Sequence, residues 1–143
     1  MTATTATGIW VNLPVENLQK SVAFFTGLGF AFDARFTDDS ATCLVLGEDM
    51  NVMLLNRERF KSFTTGPVAD PRAATGALMG LGVESRAKVD ELADKAIAGG
   101  GRAYRAAEDH GFMYGRSFQD LDGHVWELFC MDMAAFEKMR KGA

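Results

Sequence analysis

An internal repeat constrains this chain more than any other feature, because two copies of one module fold as two similar units. In each half an apolar, β-branched segment precedes a helical pattern, and three short apolar segments follow it. The stretches that match between the halves are Val15–Asn17 with Val83–Ser85, Gly29–Phe32 with Gly101–Tyr104, and Asn51–Leu55 with His124–Leu128. The repeated order of strand, helix and three strands predicts an α+β fold of two tandem βαβββ modules.

The element boundaries follow from capping and turn residues. Asn17 and Ser85 are suited to cap the two helices, and glycines follow each helix. Within the first module, Phe30–Phe36 is predicted to be the second strand. We expect one domain over residues 1–143, with module one at about 8–55, a linker at 56–76 that lids a pocket, module two at about 77–130 and a C-terminal helix at 132–141.

One turn near the end of the second module has a distinctive sequence. Asp120 and Asp122 bracket a turn that Gly123 closes. Aspartates at such positions accept hydrogen bonds from nearby backbone amides. We therefore expect both to cap the turn rather than to bind calcium, because the remaining oxygens of a calcium loop are missing.

The amino-acid composition limits the kinds of partner that we expect for this chain. The 143 residues are 48% hydrophobic and 24% charged, with a net charge of −4. These values are typical of a globular protein without a basic surface for nucleic acid. The sequence contains neither a run of about eighteen apolar residues nor a signal-peptide pattern, so we expect no membrane contact and a cytoplasmic location.

Three motifs resemble the vicinal oxygen chelate superfamily, which includes glyoxalase I, bleomycin-resistance proteins, fosfomycin-resistance enzymes and extradiol dioxygenases. They are Leu13–Phe25, Leu28–Phe30 and Asp120–Glu127, and Asp109–Phe118 is similar to a glyoxalase-like bacterial subgroup. The resemblance covers nearly the whole chain. It implies that the modules curl a mixed sheet into a cup with the helices outside, and that the chain forms a homodimer.

The resemblance also identifies four positions at which relatives hold a metal ion, on the first and last strand of each module. They correspond here to Trp10, Leu54, Leu78 and Glu127. Only Glu127 can ligate, whereas metal sites in enzymes ordinarily use about three protein donors. We therefore expect a degenerate site and no cofactor, with a divalent metal as the disfavoured alternative.

The two histidines do not restore this metal site. Side chains alternate along a strand, so His124 is predicted to face away from Glu127. His110 precedes the strand in a loop, and whether it or the linker enters the pocket stays open.

Two interpretations of Glu127 remain open. In the structural one, neighbouring donors such as Asn12, Ser117 or backbone amides satisfy its carboxylate. In the functional one, Glu127 is a general base or anchors a polar group of a ligand at the floor of an apolar pocket. Trp10 either fills the core or stacks on a planar ligand, and Asn12, on the same face, would orient a polar group.

The remaining ligand-binding candidates lie on the strand before the Asp120 turn. If pairing across that turn is regular, Met113 and Ser117 share the face of Glu127. Tyr114 and Arg116 would then face helices or solvent, and they would enter the pocket only if a bulge inverts the strand. Leu54 and Leu78 complete the set of predicted contacts.

Three functions fit these observations. The first is a small-molecule-binding protein of the bleomycin-resistance type, with an apolar pocket and no conventional metal site. The second is a divalent-metal-dependent lyase, isomerase or dioxygenase of the glyoxalase type. The third is a metal-free enzyme that uses Glu127 as general base. The ligand, and whether a reaction occurs, do not follow from the sequence.

Overall fold

A computed structural model describes residues 2–142 as two compact units, one ending at Ala69 and the other beginning at Asp70. The boundary falls inside the predicted linker. Each unit contains one helix-covered sheet, as the repeat predicts, and the α+β class with two tandem modules is confirmed. The curl of the sheets into a cup stays a prediction. Among residues 2–142, every helix is too short or too polar to span a bilayer.

Unit one contains a four-stranded mixed sheet with the order β1-β4-β3-β2. Strand β1 runs parallel to β4, and the other neighbours are antiparallel. Helix α1 begins after Asn17, whose side chain accepts a bond from the Lys20 amide, and it buries Phe24 and Phe25. The elements are β1 (Ile9–Val15), α1 (Leu18–Gly27), β2 (Ala31–Asp33), β3 (Ala41–Gly47), β4 (Met50–Asn56) and α2 (Arg57–Lys61).

Unit two repeats this topology with the order β5-β9-β8-β6, and the short β7 also pairs with β8. Strand β5 is parallel to β9, as β1 is to β4. Helix α3 begins after Ser85, which accepts from the Lys88 amide, and packs on β8 and β9. The elements are β5 (Leu78–Gly82), α3 (Arg86–Ala98), β6 (Arg102–Ala103), β7 (Glu108–Asp109), β8 (Met113–Gln119), β9 (Val125–Met131) and α4 (Met133–Gly142).

One local expectation is wrong. The strand predicted over Phe30–Phe36 ends at Asp33 and continues as a 3-10 turn, because the Asp33 carboxylate accepts a bond from the Arg35 amide at 3.0 Å. The predicted linker begins with the short helix α2, which Asn56 caps by accepting from the Arg59 amide at 2.8 Å.

The Asp120 turn fixes the hairpin of β8 and β9, as predicted. One carboxylate oxygen, Oδ1, accepts from the amides of Asp122 at 2.9 Å and His124 at 3.0 Å. The other accepts from the indole Nε1 of the buried Trp126 at 2.9 Å. Burial raises the pKa of Asp120. Gly123 has a φ of +94°, a conformation that favours glycine.

Replacing Asp120 should destabilise this unit. Asp120→Ala leaves the buried indole N–H and two amides without their acceptor, and each buried unsatisfied donor costs about 1–3 kcal/mol. We expect the free energy of unfolding in urea to fall by about 2 kcal/mol or more. Asp39→Ala, an exposed aspartate in a turn of unit one, is the control and should change it by less than about 0.5 kcal/mol. An equal effect of both variants would contradict the role of the turn.

Candidate functional site

The register of unit two places Glu127 in the middle of its sheet. Ser117 of β8 and Gly80 of β5 lie directly opposite Glu127 on the two sides, and the β8–β9 pairing has no shift. Opposite residues share a face, so these three residues point the same way. Met113 pairs with Met131 in the same ladder. The conditional expectation that Met113 and Ser117 share the face of Glu127 is therefore confirmed.

A cavity of about 290 Å³ opens on this face, within unit two. Ligand pockets typically measure about 300–1,000 Å³, so this one suits a small ligand. Gly80 and Gly82 leave room for the ring of Phe129, which would approach an added Cβ at 3.5–3.6 Å. The cavity is lined from the sheet by Gly80, Met113, Gly115, Arg116, Ser117, Glu127, Leu128, Phe129 and Met131, and from the β6–β8 connection by Arg105, Ala106 and Glu108.

The principal polar group of the cavity is an ion pair that sequence reasoning missed. The Nη2 of Arg105 lies 3.1 Å from Oε2 of Glu127 and 2.9 Å from Oε1 of Glu108. The side chain of Glu127 is 31% exposed, so its charge is neither deeply buried nor freely solvated. Glu127 is thus satisfied by a guanidinium, not by the amide, hydroxyl or backbone donors that the sequence suggested.

Ser117 positions Arg105 rather than Glu127. Its hydroxyl accepts a bond from the Arg105 amide at 3.1 Å, and its carbonyl accepts from the Tyr104 amide at 3.2 Å. These bonds hold the irregular segment after β6 against β8, with the guanidinium over the Glu127 carboxylate. Arg105 lies in a loop without periodicity, so the one available signal was that Glu127 needed a cation.

A second ion pair holds β7 at the edge of the cavity. Arg86, at the start of α3, donates from both terminal nitrogens to Asp109 at 2.8 Å. This guanidinium holds the pKa of Asp109 well below its usual value. His110 lies outside the cavity lining, where its Nε2 approaches Glu108 at 3.3 Å and its ring stacks on Phe112. The pair therefore fixes the segment that carries Glu108.

Tyr114 and Arg116 direct their polar groups to α3, not into the cavity. The Tyr114 hydroxyl donates to Asp90 at 2.6 Å, which raises the pKa of Tyr114 and lowers that of Asp90. The Arg116 guanidinium donates to Asp90 at 3.1 Å and to Asp94 at 2.9 Å. The β8–β9 pairing has no bulge, and Tyr114 lies outside the cavity lining, whereas Arg116 borders the cavity with its guanidinium directed to α3.

The unit-one candidates occupy different environments. Trp10 is 48% exposed and Asn12 is exposed, whereas Leu54 is fully buried. Asn12 pairs with Met53 in β4, as Gly80 pairs with Glu127 in β9. The alignment of Leu54 with Glu127 is therefore wrong by one residue, and such a slip moves a side chain to the other face of a sheet. Met53 occupies the equivalent position, and Leu54 lies on the other face of the sheet, where it is buried in the core.

A comparison with family models decides the relationship that the motifs suggest. Residues 9–128 match the model of the Glyoxalase/Bleomycin resistance protein/Dioxygenase superfamily. The chain belongs to this superfamily. Its α+β architecture is therefore the glyoxalase fold.

Solved structures of this superfamily's fold support the assignment. A hypothetical protein from S. aureus superposes with a TM-score of 0.76 and 27% identity, covering 89% of this chain and 95% of that one. A glyoxalase-related enzyme from Fulvimarina pelagi superposes with a TM-score of 0.72 and 20% identity, and the match covers 85% of each chain. A glyoxalase/bleomycin resistance protein/dioxygenase family enzyme from Burkholderia phytofirmans PsJN superposes with a TM-score of 0.70 and 17% identity. The match covers 85% of this chain and 96% of that one. No protein of curated function matches significantly.

The glyoxalase-type metal positions do not fit a divalent cation here. Trp10 and Leu78 carry no ligating atom, and Met53 offers only a thioether, a soft ligand suited to Cu(I). Glu127 is the one oxygen donor of the set. Among residues 2–142, no group of three or more His, Cys, Asp or Glu is placed to hold an ion.

Filling the cavity at Gly80 should block binding without unfolding the protein. An added Cβ there meets only the Phe129 ring, at an ordinary contact distance of 3.6 Å. We expect Gly80→Val to abolish binding of cavity ligands while the free energy of unfolding changes by less than about 0.5 kcal/mol. Gly76→Val, in open space before β5, is the matched control. Calorimetric titration that shows unchanged binding to Gly80→Val would place the ligand elsewhere.

Proposed function

We propose that this glyoxalase-superfamily protein binds a small molecule with an apolar body in the unit-two cavity. The observation that carries the proposal is the Arg105–Glu127 pair in the wall of a cavity whose apolar lining includes Met113, Phe129 and Met131. Pockets that bind small ligands combine apolar walls with few, precisely placed polar groups. The two charged groups would orient the polar end of the ligand.

The ion pair also argues against a conventional metal site. In relatives the position of Glu127 would donate an oxygen to a cation, but here a guanidinium lies 3.1 Å from Oε2. A metal ion at this position would have to displace Arg105 and would gain one oxygen donor among the four positions. We therefore propose that binding needs no divalent metal, and that no metal-dependent lyase, isomerase or dioxygenase reaction occurs at these positions.

A metal-free enzyme that uses Glu127 as base is the second candidate. Arg105 donates to Oε2, whereas Oε1 accepts no bond from another residue in the described range 2–142. A general base must lie within hydrogen-bond reach of the proton that it removes. Oε1, on the wall of the cavity, satisfies that requirement for a ligand seated against Gly80.

Binding and turnover separate these two candidates. A thermal-shift screen of small aromatic and aliphatic compounds should find ligands, because a ligand at a hundred times its Kd stabilises the folded state by about 2.7 kcal/mol. We expect NMR spectra of each ligand, incubated with the protein, to show no signals of a reaction product. Turnover that Glu127→Gln abolishes while binding persists would contradict the binding-protein proposal and favour the enzyme.

The edges of the two sheets and the net charge suggest an assembly and a location. Strands β1 and β5 each end their sheet, and Ile9, Trp10 and Leu78 on them are exposed. Apolar edge strands favour pairing with a second copy, so we propose a homodimer. The net charge of −4 disfavours nucleic acid as a partner, and we propose a cytoplasmic location.

A further inference from the structure

We infer that the unit-two cavity selects an organic cation: an ammonium group on a small apolar body. This inference rests on the proposed small-molecule function and adds the charge of the ligand. Two arginines border the cavity, and each is bonded to two carboxylates. Arg116 is paired with Asp90 and Asp94, which lie outside the cavity lining, whereas Arg105 is shared by two lining carboxylates, Glu108 and Glu127, so one excess negative charge remains beside the cavity.

Both arginines are paired with carboxylates, which disfavours an anion beside them. A single nitrogen of Arg105, Nη2, contacts Glu108 at 2.9 Å and Glu127 at 3.1 Å. An anionic ligand would have to displace one of these carboxylates or accept two like charges beside it. Arg116 is less accessible still, because its guanidinium is bonded to Asp90 and Asp94 on α3.

A cationic ligand, in contrast, would neutralise the carboxylate charge that Arg105 leaves unpaired. One guanidinium cannot neutralise both Glu108 and Glu127, so an ammonium group beside them removes the excess negative charge. Oε2 of Glu108 also lies 3.3 Å from Nε2 of His110, a residue outside the cavity lining.

The walls suit the apolar part of such a ligand. Phe129 presents an aromatic ring, and aromatic faces attract organic cations within about 6 Å. Met113 and Met131 supply polarisable thioethers that adapt to irregular shapes. Gly80 and Gly115 line the cavity without side chains, and the Phe129 ring packs beside Gly80.

The test compares three benzyl compounds that differ mainly in charge: benzyltrimethylammonium, benzyl alcohol and phenylacetate. Calorimetric or NMR titration of the full chain should show the cation binding at least about fivefold more tightly than the anion, since partly exposed charges each contribute about 0.2–1 kcal/mol. Added salt should weaken binding of the cation, because ions screen exposed charges, and should leave binding of the alcohol unchanged.

Variants assign this preference to the cavity. Glu108→Gln should lower the affinity for benzyltrimethylammonium about threefold, because it removes one partly exposed carboxylate. It should leave the affinity for benzyl alcohol unchanged. Glu91→Gln is the matched control, since Glu91 lies on α3, away from the cavity lining, with a similar exposure, 43% against 39% for Glu108. It should change neither affinity.

The contrary results are distinct. If phenylacetate binds as tightly as benzyltrimethylammonium or more tightly, and Gly80→Val abolishes that binding, cation selection is overturned. Small-molecule binding in the cavity then still stands. Cation binding that survives Gly80→Val would place the cation on the surface and overturn the inference. Failure of all three compounds to bind would contradict both this inference and the proposed function.

Discussion

The ion pair between Arg105 and Glu127 is the interaction on which the rest of the site depends. A carboxylate on an apolar wall needs a counter-charge, because desolvation without a partner is costly. Relatives are expected to supply that charge with a metal ion and further protein ligands. Here the chain supplies it from its own loop, at a distance of 3.1 Å. The same bond ties that loop to the sheet.

This pair is the last step in a chain of local constraints. The buried Asp120 turn sets the β8–β9 register, and the register puts Ser117 opposite Glu127. Ser117 then holds the Arg105 backbone, and the Arg86–Asp109 pair holds the segment that carries Glu108. A cavity built this way is positioned by backbone hydrogen bonds, so its charges are arranged before a ligand arrives.

Local signals in the sequence were sufficient for much of this fold. Asn17 and Ser85 cap the helices through bonds to amides three residues on, and Asp120 caps its turn through amides two and four residues on. These contacts span few residues, so the sequence displays them directly. The face shared by Met113, Ser117 and Glu127 followed from strand alternation once the turn was regular.

Long-range and single-residue details were not predictable. Arg105 lies 22 residues from Glu127 in an irregular loop, so neither spacing nor periodicity joins them. The Leu54 assignment failed because the match between the modules was off by one residue, since Asn12 pairs with Met53 whereas Gly80 pairs with Glu127. Such a slip preserves composition and apolar pattern while reversing the direction of every side chain.

We propose that a guanidinium, and not a metal ion, is the counter-charge of Glu127. The test is elemental analysis of protein expressed in medium with zinc, manganese, iron and nickel and purified without chelator, beside Glu127→Ala. We expect the transition-metal content to lie far below one equivalent in both proteins. One equivalent in the unsubstituted protein, lost in Glu127→Ala, would contradict it.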